Sequence, residues 1–349
     1  MSGERSSPGE AEIEAARLLL SRMGVSPRDL LDVPEVKPVA PTFAEYVPQV
    51  EEAVSAGTRR VYGSYWKRIV GEWGDRRLDE PTALEIERLA ERVRVKVVRR
   101  RNARGGRSAV EHFIAALRCV YRHAVADELI DERDNPARRV AKPRRLPNTR
   151  RGLPDDRIAE INETAATTGN DPELDTLILR LHIETACRRG GALALRPQDL
   201  DPDQCLVLLQ EKGDSVRWQP VSPTLMRHLC DHAEHRGALA SGGQLLRYRT
   251  GKPITTRRYD YLWQRLGKHM PWVAAQQIST HWLRHTTLTW VERHFGYAVA
   301  RAFAGHTDSN GADGGTTTTY IRAGLDEVAE AVAVLTGEPH PLARHTRPH

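Results

Sequence analysis

Cysteine is scarce in this sequence, and long apolar runs are missing from it. Its four cysteines, Cys119, Cys187, Cys205 and Cys230, are scattered and form no CxxC pair. This spacing argues against a disulfide-stabilised secreted scaffold and favours reduced thiols that pack in a core. No segment approaches the roughly 18 apolar residues of a membrane span, and residues 1–10 are too polar and acidic to begin a signal peptide. We therefore expect a cytoplasmic protein that does not associate with membranes.

Basic residues outnumber acidic ones, 52 to 46, which gives a net charge of +6 and a pI near 9.2. The excess is concentrated in two acid-free runs, which indicate a polyanionic partner, with nucleic acid as the first candidate. Phosphate contacts from such runs give salt-dependent binding without sequence preference, and a merely solvated charge run is the alternative. The predicted DNA contacts are Arg99, Arg100, Arg101, Arg104 and Arg107 in the first run, and Arg138, Arg139, Lys142, Arg144 and Arg145 in the second.

An apolar content of 40% over 349 residues excludes a disordered chain and suits two globular domains. Residues 1–41 form an N-terminal extension with one short amphipathic helix and a proline-punctuated connector. Residues 42–137 carry apolar side chains at helical spacing in four segments, which predicts a small helical bundle. The basic stretch 138–152, interrupted by prolines, predicts an extended linker.

The second predicted domain covers residues 153–337. Asp171 followed by Pro172 predicts a helix start, and β-rich runs at 205–209 and 216–221 predict a hairpin whose turn contains Lys212. Helices are expected again from Ser279 or Thr280, over 297–304 and over 325–335, with a flexible tail at 338–349. The sequence thus predicts a mainly α fold with a small antiparallel β-sheet.

Three side chains in the second domain have the spacing of an anion site. His281, Arg284 and His285 lie at i, i+3 and i+4, so they share one face near the N-terminus of a helix. Free backbone N–H groups and the helix dipole favour an anion there. The alternative is a polar solvated face, with Trp282 and Leu283 turned inward.

Together with other positions, these residues resemble the tyrosine recombinase (phage integrase) family. Residues 185–196, TACRRGGALALR, resemble the first arginine box of that family, and residues 281–285, HWLRH, resemble its second box. Arg217 and Pro220 are similar to residues that follow its turn lysine. The resemblance implies a SAM-like helical core-binding domain and a tyrosine recombinase or topoisomerase IB-like catalytic domain. It also implies the catalytic residues Arg188, Lys212, His281, Arg284, His306 and Tyr320.

The resemblance further implies attack on a DNA phosphodiester without metal or cofactor. Tyr320 would be the nucleophile that forms a 3′-phosphotyrosyl link, and Arg188 with Arg284 would neutralise the phosphate oxygens. Guanidinium groups suit that task because they bind phosphate bidentately and keep their charge. Lys212 would protonate the leaving 5′-hydroxyl, His281 would act as the base, and His306 would donate a hydrogen bond to the phosphate.

Three departures from the family pattern stand out. Gly191 lies three positions after Arg188, where the family often has an acid that orients the site, and Ala186 replaces a usual glycine. Tyr320 follows His306 by 320 − 306 = 14 positions, a longer interval than the family's. The intervening residues 308–315 are rich in Gly, Asn, Asp and Ser, which predicts a flexible loop.

The expected function is site-specific DNA recombination or integration through a Holliday junction. Double-stranded DNA at specific sites is the expected partner, with a homo-tetramer on DNA, a free monomer, and accessory DNA-bending or directionality proteins. A type IB topoisomerase and a catalytically silent DNA-binding regulator remain alternatives.

The helix at 325–335 packs either in its own core or against a neighbouring protomer. His228, His232 and His235 could face one zinc ion, but an exposed helix face is the preferred interpretation.

Overall fold

The computed structural model describes residues 9–26, 39–96, 106–144, 152–211, 215–305 and 323–343. These residues divide into two compact units, 1–146 and 147–349, so the division falls inside the predicted linker. Among the described residues, no helix combines the length and apolar character that crossing a lipid bilayer requires.

The first unit is built of helices. They are α1 (Glu10–Arg22), α2 (Phe43–Ala53), α3 (Ala56–Trp73), α4 (Ala83–Lys96) and α5 (Arg107–Ala126), followed by 3-10 turns at Glu132–Asp134 and Pro136–Arg138. Helix α2 begins where the Thr42 hydroxyl accepts a hydrogen bond from the Glu45 N–H, and the Glu45 carboxylate accepts one from the Thr42 N–H at 2.8 Å. The predicted helical bundle is confirmed.

Aromatic side chains fill the centre of this unit and satisfy their polar atoms on the backbone. Trp66 is fully buried, and its Nε1 donates to the carbonyl oxygen of Ala116 at 3.0 Å. The buried Tyr121 hydroxyl donates to the carbonyl oxygen of Leu78 at 2.8 Å. These pairings make the two large side chains tolerable in the core, because the polar atom of each has a hydrogen-bond partner.

The first unit extends past the predicted boundary at residue 137. Val140 is buried in the same core, and Arg118 donates to the carbonyl oxygens of Ala137 at 3.1 Å and Val140 at 2.8 Å. The expectation of an extended linker from residue 138 was therefore wrong for its first residues. An apolar side chain and two backbone acceptors hold them against α5.

The second unit combines helices with a three-stranded antiparallel sheet in the order β1-β2-β3. The strands are β1 (Leu200–Asp201), β2 (Leu206–Glu211) and β3 (Ser215–Pro220). The helices are α6 (Asp155–Thr167), α7 (Pro172–Thr185), α8 (Arg189–Ala194), α9 (Pro223–His235), α10 (Ala238–Ser241), α11 (Thr256–His269), α12 (Pro271–Gln276), α13 (Thr280–Ala304) and α14 (Leu325–Thr336), with a 3-10 turn at Pro197–Asp199. The predicted hairpin is confirmed, with Glu211 paired to Ser215 at its end.

Helix α7 passes through the core of the second unit. The Asp171 carboxylate caps it by accepting from the Leu174 N–H at 3.4 Å, as the sequence predicts. On its buried face, Asp175 is fully enclosed and pairs with Arg258 and Arg265 at 2.7 and 2.6 Å. A buried carboxylate with two guanidinium partners fixes α7 to α11.

Helix α13 is two helices joined at a bend. Gly296 has φ 81° and ψ 174°, a backbone conformation that is essentially restricted to glycine. The segment ends at Gly305, whose φ of 65° is the left-handed helix terminator predicted from the sequence.

The C-terminal helix α14 packs on α13, β3 and α7 of its own chain. Beyond it, Glu338 accepts from Arg180 at 2.7 Å and from the Thr224 N–H at 3.0 Å. His340 is buried and bonds the carbonyl oxygen of Cys205 at 3.2 Å. The expectation of a flexible tail from residue 338 was wrong for 338–343, because these polar groups satisfy donors and acceptors of the core; residues 344–349 lie outside the described residues.

Candidate active site

The backbone that leads into Arg188 is fixed by buried polar groups. His182 on α7 donates through Nδ1 to the carbonyl oxygen of Cys187 at 3.0 Å, and its Nε2 accepts from the Tyr259 hydroxyl at 3.0 Å. Complete burial lowers the pKa of His182 to about 4, so the imidazole is neutral. The loop between α7 and α8 therefore holds Arg188 on a preorganised support.

Ala186 begins this loop in the left-handed region, with φ 48°. The conformation explains why a glycine is usual at this position in the family, since a Cβ is disfavoured there. Ala186 is also fully buried, and its carbonyl oxygen points at Arg284. The backbone turn thus supplies an acceptor to the second predicted arginine.

Arg284 lies in the first part of α13 and is buried. Its Nη1 donates to the carbonyl oxygen of Ala186, and its Nη2 donates to that of Ala304 at 2.8 Å. Burial lowers the pKa of Arg284, and the nearby Arg188 lowers it further, while Glu211 opposes both effects. The predicted cation is present, and two backbone carbonyl oxygens fix the orientation of its guanidinium group.

The other residues of the HWLRH motif divide between core and surface. Leu283 is buried and Trp282 packs against the same core, whereas His281 is exposed. The ring centroids of His281 and His285 lie 4.7 Å apart in an edge-to-face arrangement. The predicted shared face therefore holds for the two imidazoles, while Arg284 is enclosed by protein.

Glu211 is the acid on which both arginines converge. Its Oε1 accepts from the Arg188 N–H at 2.6 Å and its Oε2 from Arg188 Nη1 at 2.6 Å. Arg284 Nη1 lies 3.9 Å from Glu211 Oε1. The structure thus brings Arg188 and Arg284 together around one carboxylate that the sequence analysis missed.

A signal for Glu211 is nevertheless present in the strand pattern. Val207, Leu209 and Glu211 occupy alternate positions of β2 and are all buried, so the acid continues the apolar face of the strand. A carboxylate at such a position requires a buried cationic partner. The sequence does not reveal that the partner is Arg188, which comes from another segment.

Arg217 on β3 is close enough to Arg188 and Arg284 to interact with both electrostatically. It donates to the carbonyl oxygen of Thr185 at 3.2 Å and to the side chain of Gln219, while its Nε has no partner among the described residues. Burial lowers the pKa of Arg217 to about 10. A Cβ added at Gly305 would lie 2.5 Å from Arg217 Cδ, so these two residues are in close contact.

Several predicted residues lie outside the described residues, and their roles stay predictions. Among the catalytic set these are Lys212, His306 and Tyr320; among the DNA contacts they are Arg99, Arg100, Arg101, Arg104 and Arg145. Arg107, Lys142 and Arg144 are exposed. Arg138 pairs with Glu132 at 3.1 Å, and Arg139 donates to a backbone carbonyl at 3.3 Å.

The predicted exposed histidine face is confirmed for His228 and His235, which are exposed, but not for His232. His228, His232 and His235 line a cavity of about 600 Å³ between α7 and α9. His232 is buried, and its Nε2 accepts from the Arg247 N–H at 3.1 Å, so full exposure was wrong for this residue. In the described part of the chain, no three His, Cys, Asp or Glu side chains are arranged to hold a metal ion.

Comparison with known proteins places these elements in a common fold. The family model described as "Phage integrase family" matches residues 151–323. Tyrosine recombinase XerC of Chlamydia trachomatis serovar L2 is 26% identical over 228 residues, which cover 62% of this chain and 67% of the relative. A second XerC, from Chlamydia caviae, is 26% identical over 155 residues, 43% of this chain and 47% of the relative.

Two sets of solved structures share the fold. A lambda integrase tetramer bound to a Holliday junction gives a TM-score of 0.59 at 16% identity, covering 92% of this chain and 89% of that one. The Tn1549 transposon integrase in complex with a circular intermediate DNA gives a TM-score of 0.58 at 16% identity, covering 81% and 95%. Mainly helical architecture with a small antiparallel sheet is common to these proteins and to this chain.

Proposed function

We infer that the chain is a tyrosine recombinase of the phage integrase family, an enzyme that breaks and rejoins DNA strands at specific sites. From this premise, we propose which residues carry each step. The observation that supports the assignment is the convergence of Arg188 and Arg284 on one buried carboxylate. Fixed cations are what a metal-free attack on a phosphodiester requires.

The proposed first step exchanges one phosphoester bond for another. The Tyr320 hydroxyl attacks phosphorus, a bond forms between its oxygen and phosphorus, and the bond from phosphorus to the 5′-oxygen breaks. The DNA keeps its 3′-phosphate as a phosphotyrosine, and the 5′-oxygen leaves as a hydroxyl. In the second step a 5′-hydroxyl of another strand attacks the phosphotyrosine and releases Tyr320. No external energy source is needed, because each step forms one phosphoester bond for each one that it breaks.

Arg188 and Arg284 neutralise the charge that builds on the non-bridging oxygens. Arg188 presents a side chain that is 40% exposed above a buried carboxylate, so its free N–H groups are available to an incoming phosphate. Arg284, which is buried, adds a second positive charge from the protein side of the site. Removing one such donor is expected to slow cleavage by about 10²- to 10³-fold.

Protons move through the remaining predicted residues. A phenol has a pKa near 10, so Tyr320 needs a base as it attacks, and His281 is our candidate because it is exposed on the first turn of α13. Lys212 protonates the leaving 5′-oxygen, and His306 donates a hydrogen bond to the phosphate. None of these steps uses a cofactor.

The proposed partner is double-stranded DNA carrying paired recombination sites, in the cytoplasm. A free monomer assembles into a homo-tetramer on two such sites and exchanges strands through a Holliday junction, with accessory DNA-bending or directionality proteins. The similar lambda integrase was solved as a tetramer on a Holliday junction, which supports this assembly. The basic runs 99–107 and 138–145 contact phosphates and make binding weaker as salt rises.

The test uses a substrate that traps the covalent product. DNA bound by the Tyr320→Phe protein is first sequenced to find the site, and a nicked copy of that site is then offered to each variant. Wild type should become covalently attached, while Tyr320→Phe should bind the same DNA and stay unattached. Tyr297→Phe, at an exposed tyrosine of α13, is the matched control and should attach as wild type does.

Two results would overturn the assignment. Equal covalent yield from Tyr320→Phe and wild type would remove Tyr320 as the nucleophile. Relaxation of supercoiled plasmid without the selected site would instead identify a topoisomerase that works on any duplex.

A further inference from the structure

Position 191 lacks the acid that the family pattern often has, yet the site contains an acid. Gly191 has no side chain, and the carboxylate of Glu211 occupies the adjoining space at the end of β2. We propose that Glu211 is the positioning residue of the two catalytic arginines and replaces, from the sheet, the acid absent at position 191. This inference rests on the proposed function of Arg188 and Arg284.

The carboxylate holds Arg188 at two points. One oxygen accepts from its backbone N–H and the other from its guanidinium, each at 2.6 Å. Main chain and side chain are therefore fixed by the same rigid group, which removes the freedom of a long side chain to turn away. The Glu211 side chain is only 1% exposed, whereas that of Arg188 is 40% exposed. Glu211 thus supports the guanidinium from the protein side and leaves its outer side open to DNA.

The same carboxylate lies between two positive charges. Arg284 Nη1 is 3.9 Å from Glu211 Oε1, and Arg284 is itself buried. Without a negative charge between them, the two guanidinium groups would repel each other before DNA binds. Glu211 lets both remain aimed at one phosphate. Because its oxygens are engaged by the arginines, it acts through them and does not touch the reacting atoms.

Gly191 and Glu211 fit together sterically. A Cβ added at position 191 would lie 3.2 Å from Glu211 Cγ and 3.4 Å from the carbonyl oxygen of Gln210. Any side chain there would press on the carboxylate and on the backbone of β2. The missing side chain on α8 is therefore what leaves room for the acid on β2.

The experiment compares covalent attachment to the nicked site in a single turnover with equilibrium binding to the same DNA. Glu211→Gln keeps the shape and an acceptor oxygen but removes the charge. It should attach about 100-fold more slowly, because misplaced catalytic groups lose roughly that factor, and should bind DNA as wild type does. Glu292→Gln, at an exposed acid of α13, is the matched control and should attach at the wild-type rate.

Moving the acid from position 211 to position 191 tests whether Glu211 positions the arginines or only stabilises the fold. Glu211→Ala should be slower than Glu211→Gln, and the double variant Glu211→Ala with Gly191→Glu should recover at least tenfold of the lost rate by returning the acid to α8. Gly191→Glu alone should be slow, because two acids would compete for one space. A double variant no faster than Glu211→Ala would overturn the inference.

Two further results bear on the inference. If Glu211→Gln attached at the wild-type rate, Glu211 would not position the arginines. If its rate loss followed only the unfolded fraction, measured by thermal unfolding of each variant, Glu211 would be a stability residue and the inference would fail. A wild type that never attaches to DNA contradicts the proposed function instead, and the two failures are therefore distinct.

Discussion

The imidazole of His182 donates a hydrogen bond to the carbonyl oxygen of Cys187 at 3.0 Å, one residue before Arg188. A carbonyl only accepts, so Nδ1 must carry the proton, while Nε2 accepts from Tyr259. This neutral tautomer is fully buried in the core, where burial disfavours the charged form. The support of Arg188, the first of the two proposed catalytic arginines, therefore depends on a histidine that must stay unprotonated.

Acid should destabilise the second unit through His182. Its pKa is lowered from an ordinary 6.5 to about 4, so the unfolded chain binds this proton first as pH falls. The stabilisation is complete above pH 6.5 and is lost between pH 6.5 and 4; a difference of 2.5 pKa units corresponds to about 3 kcal/mol. Urea unfolding of wild type at pH 7 and pH 4.5 measures the loss.

His182→Gln supplies the control for this pH dependence. Other groups also titrate in the range, among them His232, whose pKa burial lowers to about 4. The difference between wild type and His182→Gln isolates the single histidine, and the variant should lose less stability on acidification. Identical losses in both proteins would show that His182 contributes nothing.

A methyl group at Gly305 should disturb the site as well as the backbone. Gly305→Ala forces an alanine to adopt φ 65° and places its Cβ 2.5 Å from Arg217 Cδ. Gly337→Ala is the matched control, because φ is 71° there and nothing lies within 4 Å of the added atom. Both variants carry the left-handed strain of about 1 kcal/mol, and only the first must also displace Arg217.

The comparison needs thermal unfolding and covalent attachment. Gly305→Ala should unfold at a clearly lower temperature than Gly337→Ala and should attach to DNA more slowly. Gly337→Ala should attach at the wild-type rate. Equal losses of stability in the two variants would mean that Arg217 moves aside freely.

Residues 338–343 should contribute to stability, and truncation tests this. A chain ending at Gly337 loses the Glu338 carboxylate, which bonds Arg180 at 2.7 Å and the Thr224 N–H at 3.0 Å, and loses the buried His340. Charge-assisted hydrogen bonds of this kind contribute about 1.5–3 kcal/mol each. A chain ending at Ala343 keeps all of these contacts and serves as the control.

Denaturant midpoints of the two truncated chains give the answer. The chain ending at Ala343 should match wild type, and the chain ending at Gly337 should unfold at a lower urea concentration. If both matched wild type, the contacts of Glu338 and His340 would carry no net stabilisation.

Local patterns were enough to predict the longer helices and the hairpin. Asp171 followed by Pro172 fixes the start of α7 because a carboxylate cap and a proline act within one turn. The hairpin is equally local, since the β-rich runs 205–209 and 216–221 stand on either side of its predicted turn. Arg188 and Arg284 were predicted by resemblance, and the structure brings them to one carboxylate.

Features that depend on distant partners were missed. Strand β1 has only two residues, and it exists because Leu200 and Asp201 pair with β2. The burial of Glu211 follows from Arg188, which lies 23 positions earlier in the chain. His340 appears as an ordinary tail residue until the carbonyl of Cys205 is placed beside it. Spacing along the sequence carries no information on such contacts between distant segments.

The bend at Gly296 brings the end of α13 back to Arg284, near its beginning. Arg284 and Ala304 are 304 − 284 = 20 residues apart, which a straight α-helix would separate by about 30 Å at 1.5 Å per residue. Arg284 Nη2 nevertheless lies 2.8 Å from the Ala304 carbonyl oxygen. The segment therefore doubles back on itself at Gly296, and the hydrogen bond from Arg284 to Ala304 holds the two parts of the helix together. A helix that stayed straight would leave that guanidinium without one of its two anchors.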